Sequence, residues 1–266
     1  MQATSGTPLV KHVSILLEKL MRTSSNRIVI GVAFLSVIFL CNGFSSAPET
    51  IEHALKRHNI EISKGSLIEA LSNPDKEVRG LAAAELAELK MTDSLTDILR
   101  AAETELDPQT KINIAAAATW MDSPEGLNIL KNICSNSGVS PLFRIEAARN
   151  VFFKHDHSCF STLVDSVNSP DPDTRIQAIS VASQISPKTH QEAPQILSMA
   201  IQALTDQDLR IRLQASEALR WMNDPASIVP LRTAIENERE QVVQSQMQSA
   251  LDSITKRQAE RPTPNQ

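Results

Sequence analysis

Residues 75–89 read DKEVRGLAAAELAEL, and this stretch decides the fold. An acid, Asp75, stands where a helix needs a cap, and Arg79 follows four residues later. Beyond Arg79 come Ala82, Leu86 and Leu89, at steps of three and four that lie on one helical face. The neighbouring alanines favour helix and leave room for another helix to approach closely. Acid, two residues, a Val, Thr or Ile, then a basic residue is thus the head of an amphipathic helix with a narrow apolar stripe.

The same head recurs along the chain. Asp107 precedes Lys111, Asp171 precedes Arg175, and Asp208 precedes Arg212; weaker copies run from Ser140 to Arg144 and from Glu240 to Gln244. The anchors 79, 111, 144, 175, 212 and 244 are spaced by 32, 33, 31, 37 and 32 residues. Three residues past each anchor stand Ala82, Ile114, Ala147, Ala178, Ala215 and Met247. Seven past it stand Leu86, Ala118, Val151, Ala182, Leu219 and Leu251. A second apolar run precedes each helix, such as Leu127/Leu130/Ile133 and Ile228/Leu231/Ile235. Asp93, Asp122, Asp156 and Asp224 stand before four of these runs, at expected N-caps. Two helices per 31–37 residues, stacked in series, predict an all-α fold, an α-solenoid of about six helix pairs over residues 64–256.

Composition agrees. The 266 residues are 41% hydrophobic with 3% aromatic, and none of the seven glycines lies beyond residue 138, which leaves little for strands and tight turns. The net charge is −5, and only Glu18 opposes Lys11, Lys19, Arg22 and Arg27 before residue 48, so the repeats are acidic. An acidic body does not draw phosphate backbones, and no nucleic-acid partner is expected.

The signature at residues 75–86, repeated down the chain, resembles the HEAT repeat, and in particular the short bacterial variety of the phycobilisome-lyase type. The resemblance implies a scaffold that binds another protein, with a chromophore lyase or isomerase as the alternative. It also implies an inter-repeat ladder of acid and base, carried here to Asp75/Arg79, Asp107/Lys111, Asp171/Arg175 and Asp208/Arg212. Copies three and six lack the aspartate.

Residues 1–27 form a basic lead, and residues 28–41 read IVIGVAFLSVIFLC without a charge. Positive charge ahead of an apolar run holds the N-terminus in the cytoplasm and sends the C-terminal remainder of the chain across the membrane. The segment 28–47 is either an uncleaved anchor, crossing the membrane through residues 28–44, or a cleaved signal peptide. A single-pass membrane protein with its repeats outside the cytoplasm is expected, or a secreted or periplasmic one after cleavage. Residues 48–63 are a linker and capping helix, residues 186–194 an extended loop, and residues 257–266 a disordered tail.

Signs of chemistry are few. No G-x-S-x-G, H-E-x-x-H or C-x-x-C occurs, and no glycine cluster can hold a phosphate. A HEAT-repeat di-iron hydroxylase holds its metal with His-Glu dipeptides, and this chain has none. The cluster at residues 155–159, HDHSC, puts three possible metal ligands in five residues and reads as a polar turn between helices, with a metal site as the alternative. No catalytic residue, metal, cofactor or small-molecule substrate is expected. Cys134 and Cys159, eight residues out of register on parallel helices, would be about 12 Å apart along the axis, so two free buried thiols are expected. Nine residues past the anchors, on the flank away from the alanines, stand Trp120, Phe153 and Trp221. With Glu146 and Arg149 they form a candidate partner-binding ridge, or else they fill gaps between repeats.

Overall fold

The computed structural model describes residues 49–184 and 193–260. The apolar run at 28–47 lies outside the described residues, as do residues 186–192 of the expected loop and residues 261–266 of the expected tail. The remainder of those two expectations is corrected, because Ala193 and Pro194 begin a helix and Arg257 to Ala259 end one. Among the described residues no helix is long and apolar enough to cross a membrane.

Thirteen α-helices follow one another, with no strand among the described residues. A capping helix, α1 (Ile51–Arg57), precedes six pairs. The pairs are α2 (Lys64–Ala70) with α3 (Lys76–Glu88), α4 (Leu95–Thr104) with α5 (Pro108–Trp120), and α6 (Pro124–Ser135) with α7 (Pro141–Phe153). They continue as α8 (Phe160–Ser166) with α9 (Pro172–Gln184), α10 (Ala193–Ala203) with α11 (Leu209–Met222), and α12 (Ile228–Asn237) with α13 (Gln241–Ala259). Each second helix packs on its own first helix and on the second helix of the next pair, which is solenoid stacking.

The acids that open the repeats are N-caps. Asp75 accepts from the Glu77 amide, Asp107 from Thr110, Asp171 from Thr174 and Asp208 from Arg210, each at 2.9–3.0 Å. The apolar stripe enters the core: Ala82, Leu86, Ile114, Ala118, Ala147, Val151, Ala215 and Leu219 are fully buried. The expected caps of the first helices differ. Asp122 does not cap α6; Ser123 does, accepting from the Gly126 amide at 3.2 Å. Asp93 pairs with Lys64 instead, while Asp224 caps the short 3-10 turn ahead of α12.

Asp122 has another task. Among the described residues, four second helices end in a residue with positive φ, eleven positions past the anchor: Lys90 (53°), Asp122 (63°), His155 (58°) and Asn223 (51°). Glycine is the usual occupant of that position. Here longer side chains take it, which is how six repeats form with so few glycines. Among the described glycines the one required by contact is Gly126, where a Cβ would meet Ala118 Cβ at 2.8 Å and the Thr119 nitrogen at 2.9 Å. There α6 crosses directly on the backbone of α5.

The free-thiol expectation is overturned. Cys134 and Cys159 form a disulfide with their Cα atoms 6.0 Å apart. The 12 Å offset assumed two equal rods in equal register. In fact α8 has only seven residues, and Cys159 is the N-cap that precedes it. Its first turn docks on the last turn of α6, where Thr162 Oγ1 donates to the Cys134 carbonyl at 3.0 Å.

Candidate functional site

The ladder exists, but with other partners than expected. Arg79 bonds Glu105 through Nε and Nη2 at 2.6 and 2.8 Å. Arg175 bonds Asp206 at 3.0 and 3.0 Å, and Arg212 bonds Glu238 at 2.7 and 3.0 Å. Each acid stands two residues before the acid that opens the next repeat and also accepts a backbone amide of that loop, as Glu105 does from Leu106 and Asp107. The third guanidinium nitrogen returns to the arginine's own loop, reaching the Asn73 and Pro74 carbonyls in the first copy. A rung therefore fixes two loops at once. Asp75, Asp107, Asp171 and Asp208 are not rung acids: each gives a carboxylate oxygen to its own helix cap, and Asp107 gives the other to the Lys76 ammonium of the preceding repeat at 2.7 Å. Lys111 makes no rung either; it donates to the Glu103 carbonyl at 3.2 Å.

The cause is legible once the geometry is known. The rung acid of the third repeat would be residue 138, which is Gly138, and that of the fourth would be residue 169, which is Ser169. Without an acid, the basic residue turns back on its own first helix: Arg144 Nε donates to the Cys134 carbonyl at 2.9 Å.

The polar turn at 155–159 is structural in its contacts. Burial raises the carboxyl of Asp156, but the Lys131 ammonium at 2.5 Å and the Ser158 hydroxyl and amide outweigh it and bring the carboxyl to about 2. His157 packs edge-on to Phe152, with ring centroids 5.7 Å apart, and Cys159 is in the disulfide. Among the described residues no group of His, Cys, Asp and Glu is placed to hold a metal ion.

The aromatic register is exposed. Trp120 is 38% accessible, Phe153 42% and Trp221 56%, each in the last turn of its second helix. Trp120 and Phe153 sit on consecutive second helices, while α9 separates them from Trp221 and offers Gln184 at the matching position. Trp221 is the most constrained of the three. Its Nε1 donates to Glu217 at 2.7 Å, and the Arg220 guanidinium lies over its ring, 5.2 Å from the centroid. Glu217 also accepts from Arg220 and from Gln246 of the next repeat at 3.2 Å. These donors, Arg220 first, hold the Glu217 carboxyl below the usual range against the opposing effect of burial. Of the two charged residues expected beside the ridge, Arg149 bonds Glu146 within α7, both about one-fifth exposed. The arrangement sets exposed aromatic faces beside paired charges.

Sequence comparison bears on the fold. A family profile described as HEAT repeats matches residues 66–151 and 160–252. No curated relative matches the chain. Among solved structures, the crystal structure of an engineered protein is similar at 18% identity and TM-score 0.44, covering 71% of this chain and 95% of that one. Human deoxyhypusine hydroxylase, solved with glycerol, is similar at 14% identity and TM-score 0.32, covering 72% of this chain and 84% of that one.

Proposed function

From a chain that belongs to the HEAT-repeat family, with exposed aromatics at one register of its second helices, we infer a non-catalytic scaffold that binds another protein. The observation that carries this reading is Trp221. An indole left more than half exposed, yet held by Glu217 and stacked on Arg220, pays its ordering cost before any partner arrives. Aromatic anchors of this kind dominate binding energy where a partner covers them. Trp120 and Phe153 extend the same surface toward the N-terminal repeats, with Glu146 and Arg149 beside them, and together they form the concave contact face.

We propose that the scaffold works outside the cytoplasm, tethered through residues 28–44 or released by cleavage. The basic lead and apolar run support export. So does the disulfide, a bond that persists in oxidising compartments.

The test is a comparison of photo-crosslinked complexes. A photoreactive residue at Gln184, in line with the aromatics, is placed in the wild-type chain and in a Trp120→Ala/Phe153→Ala/Trp221→Ala chain. Defined crosslinked bands that disappear in the triple variant, with unchanged melting, support the reading. Bands of equal strength in both chains reject the ridge as the contact surface.

A further inference from the structure

Three features come together at the joint between the third and fourth repeats, the first of them, a missing rung, shared with the joint before it. First, the rung is missing, because Ser169 stands where Glu105, Asp206 and Glu238 stand in their repeats. Second, Arg144, left without an acid, donates to the Cys134 carbonyl, and that oxygen also accepts from Thr162 across the joint. Third, the Cys134–Cys159 disulfide crosses the same joint, tying the end of α6 to the start of α8.

We propose that this disulfide substitutes for the missing rung. It is the bond that keeps the first three repeats aligned with the last three, so the joint is stiff only in the oxidised chain. The inference stands independently of whether the aromatic row binds a partner. It does bear on that row, because Trp120 and Phe153 lie on one side of the joint and Trp221 on the other.

A rung is a paired contact between loops of adjacent repeats, and nearest-neighbour contacts are what hold a solenoid's shape. The third repeat lacks a rung on both sides, at Gly138 and at Ser169, so the middle of the array is where compliance would concentrate. Both cysteines are at most 2% exposed, so a thiolate cannot reach either sulfur without local opening. Once formed, the bond therefore persists. A chain that has not yet met an oxidising compartment has the compliant joint, and oxidation sets it. Undoing it requires a dithiol. The dithiol attacks one sulfur and breaks the Sγ–Sγ bond. A second attack within the mixed disulfide releases both cysteines as thiols, each carrying a proton, and the two electrons come from the dithiol, which leaves as its own disulfide.

The experiment reads distances across and beside the joint in the full-length chain. Spin labels on genetically encoded keto residues replace exposed Glu103 and Glu236, which span the joint. A control pair at Gln207 and Glu236 lies wholly on the C-terminal side. In the oxidised chain both pairs should give one narrow distance distribution. In Cys134→Ser/Cys159→Ser, and in the wild type reduced by dithiothreitol, the spanning distribution should broaden at least twofold while the control stays narrow. Adding Ser169→Glu to the double-serine chain supplies Arg144 with an acid and should narrow the spanning distribution again. An unchanged spanning distribution in a chain whose mass shows both thiols free overturns the proposal. So does broadening of both pairs together, which is general loosening, and so does failure of Ser169→Glu to restore the narrow distribution.

Discussion

The Arg79 guanidinium and the Glu105 carboxylate, twenty-six residues apart in sequence, meet side by side in two bonds of 2.6 and 2.8 Å across the first inter-repeat joint. The Glu105 side chain is only 3% exposed, and that of Arg79 is 20% exposed. Arginine suits this position because its planar fork serves a carboxylate and two loop carbonyls at once, which a lysine ammonium cannot do. Glu105→Ala removes the acid but leaves the guanidinium partly buried on its carbonyls. The expected loss is about 2 kcal/mol, typical of a charge-assisted bond at a buried site. Arg79→Lys should lose nearly as much. Chemical denaturation of the two variants checks both, and a lysine variant as stable as wild type would show that charge alone suffices there.

Gly126 is held to glycine by contact. An added methyl would lie 2.8 Å from Ala118 Cβ and 2.9 Å from a backbone nitrogen, neither of which can yield without moving α5. Gly126→Ala should therefore destabilise by about 1–3 kcal/mol, the usual cost of overpacking, despite alanine's better helix propensity. A variant that melts at or above the wild-type temperature would mean that α6 moves away from α5 at little cost.

Much of this was legible in the sequence because each repeat writes its helix twice, once in the capping acid and once in the stripe. Asp107 and Leu86 could be assigned to cap and core without coordinates, since periodicity fixes both. The rungs could not be read that way. Glu105 and Glu238 fall in loops outside the motif, and nothing in spacing distinguishes a loop acid that reaches an arginine from one that faces water. The disulfide was hidden for a related reason. Sequence register counts residues, whereas the closeness of Cys134 and Cys159 depends on where α8 begins. The aromatic row was visible as a register, but its exposure was not. Leu89, also on the expected core stripe, is 44% exposed, so position on the stripe alone does not decide burial at a helix end.

Ala147 and Ala148 are both fully buried, which places the stripe of the third repeat where the motif requires it. Ala148→Glu introduces a carboxylate where the native methyl group is fully buried. Several kcal/mol of stability should be lost. Because joints couple neighbours, the amides of α7 and of the facing α6 should lose hydrogen-exchange protection first. Equal protection in variant and wild type would be incompatible with this packing.

Titration should act in opposite directions at two groups of acids. The Asp107 carboxyl is lowered to about 2, first by the Lys76 ammonium and then by the Thr110 amide. Glu105 and Glu238 lie below the carboxylate range through their arginines. For such groups the folded value is below the unfolded one. Their stabilisation is present above about pH 4 and disappears as pH falls toward the folded values. Glu85 is the reverse case. Only 6% exposed, it has its carboxyl pushed up by burial and then by Glu88 and Glu52. Its charged form opposes folding at neutral pH, and that penalty lifts as pH falls. Glu85→Gln should thus raise the melting temperature by about 2 °C or more at pH 7 and by less near pH 4. A gain that does not shrink on acidification would trace the effect to packing instead of charge.

Trp221 distinguishes contact surface from space filling without any partner in hand. A tryptophan that fills a gap between repeats is buried, and truncating it costs about 3–5 kcal/mol. Trp221 is 56% exposed, and its indole nitrogen bonds Glu217, which keeps Arg220 and Gln246 when the indole is gone. Trp221→Ala should therefore cost less than about 1.5 kcal/mol, the part of the ring lying against the helix. Trp120, at 38% exposure, should cost more on the same substitution. The two are also the only tryptophans in the chain, so each single variant leaves one reporter. In Trp120→Ala the remaining emission comes from Trp221. Glu217→Gln in that background should shift the emission to longer wavelength, because the carboxylate that orders the indole is weakened. A loss of 3 kcal/mol or more for Trp221→Ala would assign the ring to packing. An emission indifferent to Glu217 would show that the indole is not held in place, which removes the reason to treat it as a preformed anchor.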